Sequence, residues 1–566
     1  ETPFHGLSDD NAIGYAQIAQ PLMIDIKPGV SEEPDDRIEK IITALSAVLS
    51  ALLEKEPSNR YQSCPGMLAD LQALLAYKSE QGTFSIRGQD RSDCLYIPQR
   101  LYGRTVETQS LMQAFQRVAK GPSEAFLIAG YSGVGKSALV NEVRLPVLQS
   151  NGVFVTGKFD QYRGSTPYSA IEQAFSHFIR TLLALPDIEV EKWRDRLEIA
   201  VKPNAQVLID ILPDLGYLLG PQPEPVPLGA EEQQNRFNRV FLQFVRVICT
   251  AHKPLVVFID DLQWADLASI NLLRMLMMDT ENRYCLLLGA YRDNEIDDRH
   301  PFSRILQDLK VEQSRLSLID LKPLPLAALH EVMRDTLGLP LAQIQSFGAL
   351  VYQKTAGNPF FFRQFLHELY QQELLAFDYG QNRWRWSESD IERQASTDNV
   401  IDLMIAKIER LPQITQRALM QASCIGACFP TDLVTEVDTA NTALDEILQP
   451  ALDTGLIHNV NNVQGGPAKG VLSFLHDRVQ QAAYSMLGEQ DRMQLHYRIG
   501  CMLLDRSRRL DDDTVDHRCF DLVSHFNCAL ALLNEQQREQ VMALNLQAAQ
   551  QAKSTSAYRI AIEYLE

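Results

Sequence analysis

A chain of 566 residues is too long for one hydrophobic core and calls for several domains. Hydrophobic residues at 45% and charged residues at 22% are ordinary globular proportions. The formal charge of -19 argues for a soluble acidic protein and against a nucleic-acid binder, which needs a basic face. The nine cysteines contain no C-x-x-C, and the nearest pair, Cys424 and Cys428, has no His or Cys cluster beside it. Reduced thiols in a cytoplasmic compartment are therefore expected. The longest apolar stretch, 41–53, is broken by Thr and Ser and is too short to span a bilayer, so no membrane segment is expected. The start at Glu1 and the end at Glu566 inside a helical pattern read as a piece of something larger.

In chain order, residues 1–78 read as a mostly helical segment, with apolar residues at helical spacing over 38–53 and 67–77. A polar connector over 79–98 follows, with Gly82, Gly88 and a run of charges. From 99 to 320 the pattern alternates apolar β-rich runs with helical ones. The runs are 125–129, 153–157, 255–260 and 285–290, with a fifth at 315–319. Strands embedded in helices, most of them apolar throughout, predict a parallel sheet covered on both faces. The stretch 165–250 reads as a helical insertion. Residues 321–400 read as a helical domain. Residues 401–490 read as helical apart from a hairpin at 456–460 and 471–474, split by Gly465-Gly466-Pro467. From 491 to 566 only amphipathic helices are visible. Ala548, Ala549, Ala552, Ala557 and Ala561 supply small side chains for close helix approach, as in stacked tetratricopeptide-like hairpins.

The chemistry concentrates at Gly130-Tyr131-Ser132-Gly133-Val134-Gly135-Lys136-Ser137, which satisfies G-x-x-x-x-G-K-[ST] between a strand and a helix starting near Ala138. Glycines at 130, 133 and 135 let backbone N–H groups point into an anion nest at a helix N-terminus. Lys136 adds a point charge for the β- and γ-phosphates, and the Ser137 hydroxyl is a Mg²⁺ ligand. The expected phosphate-contacting set is Gly130, Ser132, Gly133, Val134, Gly135, Lys136, Ser137 and Ala138. The bland alternative is a Gly-rich strand–helix turn.

Downstream, an apolar strand ends in Asp260-Asp261. Asp260 is expected to hold Mg²⁺, and Asp261 to orient or deprotonate the attacking water; the alternative for Asp261 is a helix N-cap. One strand later, Arg292 stands at a strand end where it can sense the γ-phosphate, or else be an ordinary surface arginine. Lys158 closes the second strand; a solvated strand end is its plainer reading. Trp264, Trp384 and Trp386 read as packing residues, and Asp511-Asp512-Asp513 as a solvated loop.

Together with Asp260-Asp261-Leu262-Gln263-Trp264-Ala265-Asp266 and Gly289-Ala290-Tyr291-Arg292, the P-loop makes the chain similar to the STAND branch of AAA-like signalling ATPases. More narrowly, it resembles the central part of large bacterial, often cyanobacterial, sensor kinases, in which a Ser/Thr kinase domain precedes the ATPase and helical repeats, a GAF domain and a histidine kinase follow. The resemblance implies a multidomain α/β plus all-α chain: a P-loop NTPase sheet over 99–320, a helical lid over 321–400, a winged helix over 401–490 and the start of a TPR-like array over 491–566. It implies ATP and ADP, rather than GTP, as ligands with Mg²⁺. It also places Tyr102-Gly103-Arg104 near the adenine, Pro359 of Gly357-Asn358-Pro359 on the base, and His476 of Phe474-Leu475-His476-Asp477 on the β-phosphate of ADP. Plainer readings are helix punctuation for the glycines and a buried, hydrogen-bonded histidine for His476.

Residues 1–78 resemble the end of a protein-kinase lobe, through Thr2-Pro3-Phe4 and Leu52 to Ser63 around Arg60. The H-R-D and D-F-G motifs and a histidine phosphoacceptor box are missing, so this chain is not expected to phosphorylate anything alone. The implied function is an ATP-controlled switch coupling to flanking kinase and sensor domains, with homo-oligomerisation on ATP binding and protein partners at the repeats. A DNA-binding regulator is disfavoured, because 400–490 holds 10 Asp/Glu against 5 Lys/Arg. A scaffold that binds nucleotide without turnover is the third reading.

Overall fold

The computed structural model describes residues 36–54, 60–75, 86–87, 90, 93–161, 166–279, 281–297, 300–303, 306–307, 316–393, 400–434, 444–459, 470–509, 515–555 and 557–566. The described residues fall into two compact units. One lies within Glu1–Gly103 and Pro323–Ser396, the other within Arg104–Lys322 and Thr397–Glu566.

The second unit is built on the five apolar runs. They form strands β1 (Glu124–Ala129), β2 (Val153–Lys158), β3 (Leu255–Asp260), β4 (Cys285–Tyr291) and β5 (Leu316–Asp320). All are parallel, in the order β2-β3-β4-β1-β5. Alternate side chains of the inner strands (Leu127, Val257, Ile259, Leu287) join one large core, and those between them (Phe126, Ile128, Val256, Phe258, Leu288) are buried as well. Burial on both faces is what an unbroken apolar strand demands. The order places β4 between β3 and β1, so Arg292, just past β4, lies between the P-loop and the Asp260-Asp261 pair. Loops at the carboxyl ends of such a sheet are where α/β folds place ligands.

The predicted insertion is five helices: Ser169–Leu183, Asp187–Val201, Ala205–Ile209, Asp214–Leu219 and Ala230–Ile248. The first lies against β2 at Gly157, where an added Cβ would stand 1.8 Å from the Ala170 carbonyl oxygen. A backbone atom cannot yield as a side-chain tip can, so glycine is required here for close approach.

In the other unit, helices Asp36–Leu52 and Cys64–Leu75 pack on each other, and Leu326–Leu337, Leu341–Thr355 and Pro359–Gln371 surround a core with Leu329, Phe347 and Leu366. Residues 321–400 are not wholly helical. Strands β6 (Leu375–Asp378) and β7 (Arg383–Trp386) form an antiparallel hairpin. Its physical cause is two-residue alternation: Trp384 is buried, while Arg383 and Arg385 face out. Trp386 stacks on Phe347 at 4.7 Å between ring centroids, so both tryptophans are packing residues. Arg60 donates to the Glu54 carbonyl (2.7 Å); Thr2-Pro3-Phe4 lies outside the described residues.

Back in the second unit, helices Val400–Glu409, Gln413–Ile425, Leu444–Asp453 and Asp477–Ser485 accompany a three-stranded antiparallel sheet. Its order is β8 (Cys428–Pro430), β10 (Val471–Phe474), β9 (Ile457–Asn459). The β9–β10 pairing matches the expected hairpin; β8 is an added strand, too short to show a pattern in the sequence. The turn at Gly465-Gly466-Pro467 and the acidic run Asp511 to Asp513 lie outside the described residues. Helices Glu489–Arg509, Val515–Cys528, Glu535–Ser554 and Tyr558–Leu565 pack consecutively, and Ala548, Ala549, Ala552, Ala557 and Ala561 are buried.

Replacing Gly157 with alanine is predicted to destabilise this unit by about 1–3 kcal/mol, since a well-packed backbone contact must open. Denaturant unfolding checks it; an unchanged midpoint would mean that β2 and its helix are not pressed together.

Candidate nucleotide site

The strand-to-helix turn after β1 is built for an anion. Gly130, Gly133 and Gly135 have φ of 149°, 78° and 100°, values that a side chain resists, and Gly135 caps the helix Lys136–Gln149. A Cβ at Gly135 would meet nothing within 4 Å, so that wall of the cradle is open, whereas one at Gly130 would stand 2.6 Å from the Leu321 carbonyl oxygen. Val134 is buried beneath the loop, Ser132 lies within it, and Ala138 sits in the first turn of the helix. The Lys136 ammonium donates to the Gly130 and Tyr131 carbonyls at 2.7 and 3.0 Å. Burial pushes its pKa down to about 8, against the pull of Asp260 and Asp261.

Ser137 Oγ donates to Asp260 Oδ2 at 2.7 Å, bringing together the two side chains expected at Mg²⁺. Hydroxyl and carboxylate oxygens suit a hard cation. Among the described residues no three His, Cys, Asp or Glu side chains form a metal cage. The residues present fit a Mg²⁺–nucleotide, held by Ser137, Asp260, Lys136 and the loop amides.

Asp261 is buried, with backbone in the left-handed region at φ 54°. Its side chain does not cap the turn that follows; Asp266 takes the capping role, accepting from the Ser269 amide. Instead Asp261 accepts from Gln263 Nε2 (2.8 Å) and pairs with Lys158 Nζ (3.1 Å) and Arg292 Nε (3.5 Å). Burial alone would raise its pKa, but Lys158 and then Arg292 hold it below the ordinary carboxylate value. Asp260 moves the other way, raised by loss of solvent and by the charge of Asp261.

Lys158 is thus no merely solvated strand end. Parallel register sets it beside Asp260, and the charge of the neighbouring Asp261 captures it. Arg292 is likewise no surface residue. It is 3% exposed, its guanidinium lies 4.7 Å over the Trp264 ring, and it pairs with Glu295 at 2.8 Å and with Asp477. Asp477 was legible only as part of the motif around His476; the pairing joins segments far apart in the chain. His476 stands beside it as N-cap of the helix Asp477–Ser485. Its Nδ1 lies 3.1 Å from the Arg478 amide and 2.7 Å from Asp477 Oδ1, and the ring tautomer selects between them. Burial first, then Lys158 and Arg292, push its pKa down to about 3, so the imidazole is neutral.

Arg104, also buried, donates to the Val134 and Lys322 carbonyls and so props the loop from behind. Gly103 and Pro359 belong to the other unit. There Gly103 (φ 62°) and Gly357 (φ 72°) both approach the segment around Leu324, whose amide donates to the Gly357 carbonyl at 2.8 Å. Pro359 opens the helix Pro359–Gln371, capped by Asn358.

A parallel sheet with this loop and carboxylate pair defines a P-loop ATPase domain. The family model for the AAA ATPase domain (AAA_16) matches residues 100–288. The whole chain is 26% identical to hybrid signal transduction histidine kinase G of Dictyostelium discoideum, of which it spans 20%. It is 21% identical over 94% of its length to the peroxide stress-activated histidine kinase mak3 of Schizosaccharomyces pombe, spanning 26% of that protein. The chain is thus homologous to histidine kinases and covers about a fifth to a quarter of their length. Among solved structures it is similar, at 12% identity and a TM-score of 0.41, to a STAND protein with a tetratricopeptide repeat sensor from Pyrococcus horikoshii; the match takes in 80% of this chain and 57% of that one. No helix among the described residues is long and apolar enough to cross a membrane.

Substituting Lys136 with alanine is predicted to weaken nucleotide binding by on the order of 10- to 100-fold, the worth of a charge-assisted hydrogen bond. Wild-type affinity should also fall as the pH rises past about 8, because the free lysine loses its proton there and binding needs the charge. Equilibrium titration with a fluorescent nucleotide at pH 7 and 9 reads both effects. A Lys136→Ala variant with unaltered affinity would remove the phosphate site.

Proposed function

We propose that this chain is a regulatory ATPase switch of the STAND type, carried within a larger signalling kinase. One observation carries the reading: Arg292, at the edge of the nucleotide cradle, pairs at once with Asp261 of the ATPase sheet and with Asp477 of the segment 401–490. That segment is read as a winged helix, and its Asp477 and His476 as the latch of the resting, ADP-holding state.

In that state Lys158 and Arg292 both occupy the Asp261 carboxylate, which keeps it from taking a proton from water. The loop amides and Lys136 bind the phosphates; Ser137 and Asp260 hold Mg²⁺, which supplies charge neutralisation there. A γ-phosphate draws Arg292 away from Asp477 and Asp261, loosening the latch and leaving Asp261, still held by Lys158 and Gln263, with a carboxylate face turned to water. Nucleotide can shift the switch only by its differential affinity for the two states, and Arg292 and His476 provide that difference. Hydrolysis is slow because it resets the switch. The TPR-like helices carry protein contacts, ATP promotes self-association, and flanking kinase and sensor domains, in the cytoplasm, receive the change. Residues 1–78 are the remainder of a Ser/Thr kinase lobe.

Asp477→Asn and His476→Ala are predicted to speed ADP release roughly tenfold, a change of about 1.4 kcal/mol. Stopped-flow displacement of labelled ADP measures it, and wild-type release rates in both variants would sink the latch. Asp261→Asn should bind ATP normally yet lose on the order of 100-fold or more in single-turnover hydrolysis. Full turnover in that variant would leave the carboxylate without its assigned role.

A further inference from the structure

Away from the nucleotide, two buried histidines meet. His496 lies on the helix Glu489–Arg509 and His525 on Val515–Cys528, and their Nδ1 atoms are 2.8 Å apart. The rings are 37° from parallel with centroids 5.1 Å apart, and the residues are only 6% and 8% exposed. Two imidazole nitrogens at this separation cannot both be acceptors, nor both donors. One must carry a proton and the other a lone pair. The pair therefore holds one Nδ1 proton.

The surroundings make a second proton costly. His496 Nε2 lies 3.3 Å from the Tyr484 hydroxyl, and Arg492 stacks on the Tyr484 ring at 4.4 Å, placing a permanent cation nearby. Cys424, from the helix Gln413–Ile425, and Asp521 and Cys528 line the same cavity of about 60 Å³. Glu172 of the helix Ser169–Leu183 faces Asp521 from the ATPase side. The cavity has room for water and so for proton delivery. Burial, then Arg492, push the His496 imidazole down to about 4. The same helix Val515–Cys528 sends Cys519, Phe520 and Val523 into the main core of the ATPase unit.

We propose that His496 and His525 form a one-proton clasp between the helices Glu489–Arg509 and Val515–Cys528, the second of which packs on the ATPase core, and that charging both rings opens it. Two N–H groups facing each other at 2.8 Å would repel, and two buried imidazolium ions beside Arg492 would drive the helices apart. The sign follows from linkage. His496 is neutral when docked and titrates near 6.5 when released, so its own contribution to docking weakens as pH falls from about 6.5 to about 4 and levels off below. Glu172, raised to about 7 by burial and then by Asp214 and Asp521, acts in the opposite sense, and the histidine share is the part that substituting either ring removes. Acid is thereby an input to the repeat helices, separate from the nucleotide.

Long-range imidazole ¹⁵N spectra of the 566-residue chain test the clasp directly. At pH 7.5 one Nδ1 of the pair should be protonated and the other not; two protonated Nδ1 atoms would overturn the idea. Hydrogen exchange tests the release. Protection factors over 519–523 should fall at least tenfold in the wild type between pH 7.5 and 5. His525→Asn keeps a hydrogen-bonding group near Nδ1 without its titration, and protection should then vary less than twofold; His496→Asn reads the same contact from the other side. A wild-type acid response in either folded variant defeats the proposal. So does a rise in protection on adding Zn²⁺ alone that either substitution abolishes, which would assign the pair to a metal.

Discussion

The carboxylate of Asp261 is the point on which the nucleotide end of this molecule turns. It is buried, so it must be compensated, and it is compensated twice, by Lys158 from β2 and by Arg292 beyond β4. Those partners are bound in turn. Arg292 reaches Asp477 and Glu295, Arg478 approaches Glu295 at 3.6 Å, and Asp160, two residues past Lys158, accepts from the Ala427 amide at 3.1 Å. A single buried charge thus links both flanks of the sheet end to the segment beyond residue 400. In a dry setting such pairs add little net stability, but removing one partner is expensive, so the pairs fix which segments meet at Asp261.

How much of this was legible in the sequence follows from how local each signal is. The P-loop and the Asp260-Asp261 strand end were readable because strand, turn glycines and helix lie within a dozen residues and each enforces its own geometry. The inner strands β1, β3 and β4 announce themselves by being apolar on both faces, whereas the edge strands β2 and β5 carry Thr156, Lys158 and Ser317 and are only partly buried. Lys158 was readable as a position but not as a partner, since its meeting with Asp261 depends on the β2–β3 register across almost a hundred intervening residues. Asp477 and the His496–His525 pair were hidden for the same reason. The β6–β7 hairpin did carry a signal, the alternation through Arg383-Trp384-Arg385-Trp386, but it lay inside a stretch whose neighbours are helical.

Charge balance gives the site a direction. Lys136, Lys158, Arg292 and Arg478 face Asp260, Asp261, Glu295 and Asp477, four cations against four acids, within one connected group. A triphosphate would add several negative charges, only partly cancelled by a divalent ion, to a group in which each acid already has a cationic or hydrogen-bonding partner. Asp260 is kept by Ser137 and Asp261 by Gln263 and Lys158, while Glu295 is three residues from Arg292 in the chain and moves with it. Asp477 is the one acid of the four that comes from outside the ATPase sheet and its loops, carried on the first turn of the helix Asp477–Ser485. The Arg292–Asp477 pair is thus a contact between two segments of the chain, whereas the pairs of Asp261 and Glu295 lie within the sheet and its loops.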